Sequence, residues 1–308
     1  MPTSSTSSTA RQLTGLLEND LIARLEKLRI ASLRKATSRG RGEHLSGRGG
    51  LSTDFADYRD YAPGDDMRFV DWNIFGRLQR PYLKLFRLEE ERHVVIVIDA
   101  SASMRFEDKL ARARQLAAAF AVMGLYASDK VSVWVAGGGG EARRLEPVRG
   151  RASLRRAFAA IESVAVAAGA APIDAAIDTV LKRHRGRGII VVLSDFLTEG
   201  DLRHTLNRLF ATALEPILMQ ILGPTELDPD VAGDVRFVDC ETEQVLDVSA
   251  VGDLMTLYRE HRLQFQRSLA DWCAQRQGRF CTVNSDESVM QTVTEILLRK
   301  GWVNRSGS

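Results

Sequence analysis

Cysteine is nearly absent: the 308-residue chain has three, Cys240, Cys273 and Cys281, and none is spaced as CxxC. An odd count without that spacing argues against a disulfide framework or a thiolate zinc site and suits reduced thiols in a cytoplasmic protein. The five histidines are scattered, with no HExxH pair, and the chain has no GxSxG elbow. The glycine run Gly137–Gly140 is not followed by Lys-Ser/Thr, which excludes a nucleotide loop and leaves a loose hairpin turn. Long apolar runs are missing as well. The longest, Leu116 to Ala127, is alanine-rich and well short of the roughly 20 residues that a membrane-spanning helix needs. The opening MPTSSTSSTA lacks a charged region and an apolar core, so it is not a secretory signal, and its Ser/Thr content predicts a disordered tail over 1–15. Charge of one sign is missing too. Forty-two Lys and Arg face 40 Asp and Glu, and the net charge of +2 favours no particular partner. A soluble cytoplasmic protein without membrane insertion is expected.

What the chain does have is a buried-strand signature at residues 93–103, HVVIVIDASAS. Val94 to Ile98 is an unbroken apolar, β-branched run, the pattern of a strand covered on both faces within a parallel sheet. It stops at Asp99, with hydroxyls following at Ser101 and Ser103. Ligands in open α/β sheets bind at the carboxyl ends of strands, and hard cations such as Mg favour carboxylate and hydroxyl oxygens. The same residues have a plainer reading, since serine is a favoured helix N-cap. A second apolar strand, Ile189 to Leu193, closes in Ser194-Asp195 and repeats the pattern. If the two strands lie together, Asp99 and Asp195 meet at one edge of the sheet.

Elsewhere, leucines at 17, 21, 25 and 28 predict an amphipathic helix over 16–36. Residues 37–50 are rich in Gly and Arg and predict a solvated linker. Arg39, Arg41 and Arg48, with Lys35, could meet phosphates, but no aromatic residues are interleaved, so no nucleic-acid partner is expected. The stretch 54–92 interleaves Asp54, Asp57, Asp60, Asp65, Asp66 and Asp71 with Arg59, Arg68, Arg77, Arg80 and large aromatics. A lattice of paired surface charges accounts for it. The alternative is a metal-dependent hydrolase or nuclease built on Asp65, Asp66 and Asp71, but no adjacent His or Lys offers a base and the arginines would pair with the carboxylates. Tyr82 to Leu88 predicts a strand in this stretch. After it, strands at 131–135, 216–222 and 280–283 alternate with helices at 107–127, 151–163, 172–185, 200–213, 250–277 and 287–298, and a hairpin is expected over 235–248. Such alternation implies an α/β fold with a parallel sheet covered on both faces. The expected layout is a tail (1–15), an N-terminal helix, linker and β-rich extension (16–92), and a main domain (93–308).

The run Gly47-Arg48-Gly49, Phe55, Tyr58-Arg59, Tyr61, Pro63-Gly64-Asp65-Asp66, Arg68, Asp71-Trp72 and Arg80-Pro81-Tyr82, followed by IVIDASASM, resembles the bacterial domain-of-unknown-function 58 family. From the serine loop onward the chain also resembles the von Willebrand factor A fold, a doubly wound, mostly parallel sheet with a metal-ion-dependent adhesion site. That resemblance implies Asp99, Ser101, Ser103 and Asp195 as ligands of a divalent cation, with Mg expected. The threonine of the adhesion-site pattern falls at Ala171, so a water or a neighbouring group would have to supply that ligand. The family resemblance further implies a non-enzymatic adaptor that works with a MoxR-type AAA+ ATPase in the assembly or maturation of a client protein.

Overall fold

A computed structural model of the chain describes residues 12–33, 55–86, 92–137, 142–166, 172–198, 200–230, 235–238, 245–248 and 251–306. Residues 1–11 of the expected 1–15 tail, the Gly/Arg linker, Ala171 and Cys240 lie outside the described residues, whereas Thr14, also in that expected tail, is buried and donates its hydroxyl to Glu162. The chain divides into two compact units, Met1–Lys35 with Arg92–Ser308, and Ala36–Glu91.

The helices, in chain order, are α1 (Asn19–Leu25), α2 (Trp72–Leu78), α3 (Lys109–Tyr126), α4 (Leu154–Glu162), α5 (Ile173–Arg183), α6 (Leu202–Phe210), α7 (Pro224–Leu227), α8 (Val251–Ala274) and α9 (Val289–Gln291). The first seven strands are β1 (Leu28–Ile30), β2 (Phe55–Asp60), β3 (Tyr82–Phe86), β4 (His93–Asp99), β5 (Lys130–Ala136), β6 (Arg143–Arg144) and β7 (Val148–Arg149). They are followed by β8 (Gly188–Ser194), β9 (Leu214–Leu222), β10 (Val235–Val238), β11 (Val245–Val248), β12 (Arg279–Asn284) and β13 (Val303–Arg305).

In the larger unit the predicted central strand is β4, and it lies at the heart of the main sheet. The order across that sheet is β12-β9-β8-β4-β5-β6, with β7 also on β5. The pairs β12–β9, β9–β8, β8–β4 and β4–β5 are parallel, and β6 and β7 join β5 antiparallel. Period-two alternation sends Val94, Ile96 and Ile98 to one face and Val95 and Val97 to the other, where two separate cores form. The first core takes buried residues of α1, α3 and α4, and the second those of α5, α6 and α8. Each buried Val or Ile removed from water contributes roughly 1.5–3 kcal/mol.

Helix α3 shows how composition suits position. It is buried from Ala117 through Leu125, and its small side chains let it lie close to the sheet. A Cβ at Gly124 would sit 2.9 Å from Val131 Cγ2 and 3.2 Å from Val94 Cγ2, so the contact requires glycine there.

The helix expected over 16–36 is shorter. It ends at Leu25, and Leu28–Ile30 instead pairs antiparallel with β13, Leu28 opposite Arg305 and Ile30 opposite Val303. Leu28 fits the helical spacing, but Leu28 and Ile30 are both buried with Arg29 between them, an alternation that only the distant β13 partner satisfies. Ile22, Leu25, Leu28 and Ile30 join the first core, so these residues pack with the main sheet. Across from them Arg92 donates to Asp129 at 2.6 and 2.9 Å and to the Ile30 carbonyl.

In the smaller unit β2 pairs antiparallel with β3, Asp60 opposite Tyr82, and α2 lies between them in sequence. Strand β2 was not expected, because its charged residues mask the alternation.

Cys273 and Cys281 are free, buried thiols, and burial pushes both up to about 12. Under native conditions at pH 8 neither is expected to react with a thiol reagent such as DTNB. All three cysteines of the chain should react after denaturation, and rapid native labelling of Cys273 or Cys281 would contradict the burial. Among the described residues no helix is long and apolar enough to cross a membrane.

Candidate functional site

The strand order places the site. From β4 the chain steps to β5 on one side, then crosses to β8 on the other and moves outward through β9 and β12. The order reverses at β4, and such a switch point leaves a crevice beyond the carboxyl ends of the neighbouring strands. Asp99 is the last residue of β4, and Asp195 follows the last residue of β8. With Ile98 in register with Leu193, Asp99 comes level with Ser194, one residue before Asp195, and the Ser194 hydroxyl donates to it.

Both acids are buried, Asp99 at 3% exposure and Asp195 fully. Asp99 Oδ1 accepts the Ser101 amide at 2.9 Å, and Oδ2 accepts the Ser194 hydroxyl at 2.5 Å. Burial first, and the Asp195 charge second, push the Asp99 carboxyl from 3.8 up to about 6, against the pull of these hydrogen bonds. The hydroxyls of Ser101 and Ser103 lie 3.0 Å apart. Neither serine side chain caps a helix: Ser101 occupies the N-cap position of the short helical segment Ala102–Asp108 but makes no side-chain cap bond. Four oxygen-bearing side chains that sequence reading singled out, Asp99, Ser101, Ser103 and Asp195, thus stand at one end of the sheet.

Asp195 is tightly held. Its Oδ1 accepts the Leu197 amide at 3.0 Å, helped by buried Phe196, which takes a left-handed conformation (φ 59°). Its Oδ2 accepts Lys109 Nζ at 2.9 Å, and the same ammonium donates to Glu226 Oε1 at 2.7 Å. Burial pulls Lys109 down, but Asp195 and Glu226 outweigh it and hold the ammonium above the usual lysine value. Just before Lys109, Glu107 (φ 45°) and Asp108 (φ 55°) are consecutive left-handed residues, a conformation that costs on the order of 1 kcal/mol or more each. That kink turns Lys109 inward and sends the Glu107 carboxylate to the Thr225 amide. Sequence reading missed Lys109, Ser194 and Glu226. The signal for Lys109 was faint: a lysine heading a helix otherwise apolar on most sides.

The family match covers well over half of the chain, residues 57–271, and its description reads "Protein of unknown function DUF58". The chain belongs to the DUF58 family. Uncharacterized proteins of Mycobacterium bovis and Mycobacterium tuberculosis are each 28% identical to it over 261 residues, 81% of this chain and 81% of theirs. Among solved structures it is similar to the conserved hypothetical protein BatB from Bacteroides thetaiotaomicron, with 16% identity, a TM-score of 0.42, and coverage of 68% of this chain and 98% of that one. An aerotolerance-related membrane protein from Bacteroides fragilis gives 17%, 0.40, 68% and 99%.

The motif residues between Tyr58 and Tyr82 form a network of charge pairs and hydrogen bonds in the smaller unit. Arg59 pairs with Asp65 at 2.8 Å and Arg68 with Asp66 at 2.6 Å. Each arginine holds its partner's carboxyl below the usual carboxylate range. Asp71 caps α2 through the Asn73 and Ile74 amides, accepts the Tyr58 hydroxyl at 3.1 Å and pairs with Lys84 at 3.1 Å, and Lys84 is the main cause of its lowered pKa. The Tyr61 amide donates to Pro81, and the Asp71 amide to Tyr82. Gly64, after Pro63, takes the positive φ of 104° that the tight turn needs. Trp72 and Arg80 are exposed. The three carboxylates of the hydrolase alternative, Asp65, Asp66 and Asp71, are therefore each held by a different cationic side chain. Among the described residues no three His, Cys, Asp or Glu side chains gather as a metal cluster.

Proposed function

We propose that this DUF58 chain is a non-enzymatic protein-interaction module of the von Willebrand factor A type, with a doubly wound sheet. In this reading Asp99, Ser101, Ser103 and Asp195 hold one divalent cation, Mg in the cell. The partner is an AAA+ ATPase of the MoxR type, engaged in the assembly or maturation of other proteins. The observation that carries the reading is the convergence of two buried carboxylates and two hydroxyls at the switch point of the sheet. The donors are all oxygens, the set a hard cation prefers over zinc or copper. When bound, the cation supplies a positive centre for an acidic side chain of the partner. Phe106 and Leu197 follow the two acid-bearing loops and are about half exposed, which offers apolar contact area beside the site.

The test combines Mn2+ titration by calorimetry with capture of a co-expressed MoxR-type ATPase in the presence and absence of EDTA. Ser101→Ala/Ser103→Ala is expected to weaken Mn2+ binding at least tenfold and to abolish EDTA-sensitive capture, with the melting temperature little changed. Capture indifferent to both EDTA and the double substitution would overturn the reading.

A further inference from the structure

Charge is spread unevenly over the larger unit, and it is most one-sided at the amino end of the sheet, where the parallel strands begin. Gly188, His93, Lys130 and Arg149 stand in one row across β8, β4, β5 and β7, about 14 Å wide at the usual strand spacing. On one flank of the row Lys182, Arg183, Arg185 and Arg187 are all exposed, with no acid between them. On the other flank Arg149, Arg151, Arg155 and Arg156 are exposed as well, and Glu146 is the only acid from Ala142 to Arg156. Asp129 and Glu215, buried at this end, are held by Arg92 and by the Ser32 hydroxyl and Leu33 amide. The positive field is felt at His184, whose imidazole is pulled down to about 4 by burial first, then by His93, Arg144 and Lys130.

Local structure explains part of this. Lys182 and Arg183 lie in the last turn of α5, where cations suit the helix dipole, and Arg185 donates to the Lys182 and His184 carbonyls. The rest is not explained so. Arg155 and Arg156 stand in the first turn of α4, where a cation opposes the dipole and no acid accompanies them. Lys130 and Arg149 are directly opposite in an antiparallel pair, a placement that like charges destabilise. Cations kept against the electrostatics of their own helix and strand point to an anion from outside. We propose that this end of the larger unit docks on a bilayer surface rich in anionic phospholipid. Arginine forks match phosphate oxygens, and Leu33, half exposed beside Glu215, adds an apolar tip that a lipid interface accepts. A polynucleotide fits less well, because the exposed aromatic side chains of the larger unit, Phe106 and Tyr258, lie at the carboxyl end and cannot stack on bases here. Docked this way, the chain holds Asp99 and Asp195 away from the lipid, beyond the far ends of β4 and β8. Lipid docking by this end does not depend on the cation site.

The experiment is co-sedimentation of the full chain with vesicles of phosphatidylglycerol mixed into phosphatidylcholine, against vesicles of phosphatidylcholine alone. Binding is expected on the anionic vesicles only, and it should fall steeply as salt rises. Arg155→Glu/Arg156→Glu is expected to weaken it more than about tenfold, since each basic charge near such a surface is worth about fivefold. Lys182→Gln/Arg183→Gln should weaken it by about tenfold or more, and it decides the matter if the first variant does not fold. Arg267→Glu, a charge reversal on the exposed side of α8, should leave binding within about twofold. Equal binding to neutral vesicles, binding to neither, or indifference to both double variants would overturn lipid docking. So would a duplex oligonucleotide that binds more tightly and displaces the vesicles, which would make this end a polynucleotide surface.

Discussion

Asp99→Asn is expected to stabilise the metal-free protein at pH 8, by up to about 3 kcal/mol. Asp99 goes from 3.8 in the unfolded chain to about 6 in the folded one, because burial and Asp195 both oppose its charge. A carboxyl with a raised folded pKa favours folding below pH 3.8, where it is protonated in both states. That benefit is lost as pH rises through 6, where the folded protein must hold a buried charge. Asparagine keeps the shape without the charge. Chemical denaturation in EDTA should therefore show the variant more stable than the parent at pH 8, with the gap closing between pH 6 and 4. His184 works the other way, since burial pulls it down to about 4 and acid then costs stability, but it is common to both proteins and cancels in the difference. Equal stabilities across pH 4–8 would show that Asp99 is not the strained acid described here. Saturating Mn2+ is expected to stabilise the parent and leave the variant unchanged.

Gly188→Val is expected to prevent folding, or to cost more than about 4 kcal/mol. A Cβ at Gly188 would lie 2.0 Å from the His93 carbonyl oxygen and 2.9 Å from its nitrogen, both backbone atoms. Neither can move aside unless β8 separates from β4, and these are the strands that carry Asp195 and Asp99. Expression yield, far-UV circular dichroism and a urea melt would check it. A parent-like midpoint would mean that the two strands are not held as closely as described.

How much of this was legible in the chain depends on how local each cause is. The runs Val94–Ile98 and Ile189–Leu193 are apolar on both faces, and only strands in the middle of a covered sheet need that, so their type and depth follow from composition. Their terminal acids were visible for the same reason: a carboxylate ending such a run has nowhere to go but the sheet edge. The Asp/Arg pairing of the 54–82 stretch was also foreseeable, because Arg59–Asp65 and Arg68–Asp66 close over short sequence distances. Strand β1 was hidden. Leu28 satisfies a helical spacing and a strand alternation equally, and its partner Arg305 is almost the whole chain away.

By itself, the sequence determined the α/β class, the central strands and the two acids that end them, because hydrophobic period and turn chemistry act over a few residues. Only the tertiary structure decided that β8 lies beside β4, that Ser194 serves Asp99, and that Lys109 stands between Asp195 and Glu226. Those contacts join residues 86 to 117 positions apart. Long-range pairing of charges answers to the packing of the whole sheet, and no local pattern records it.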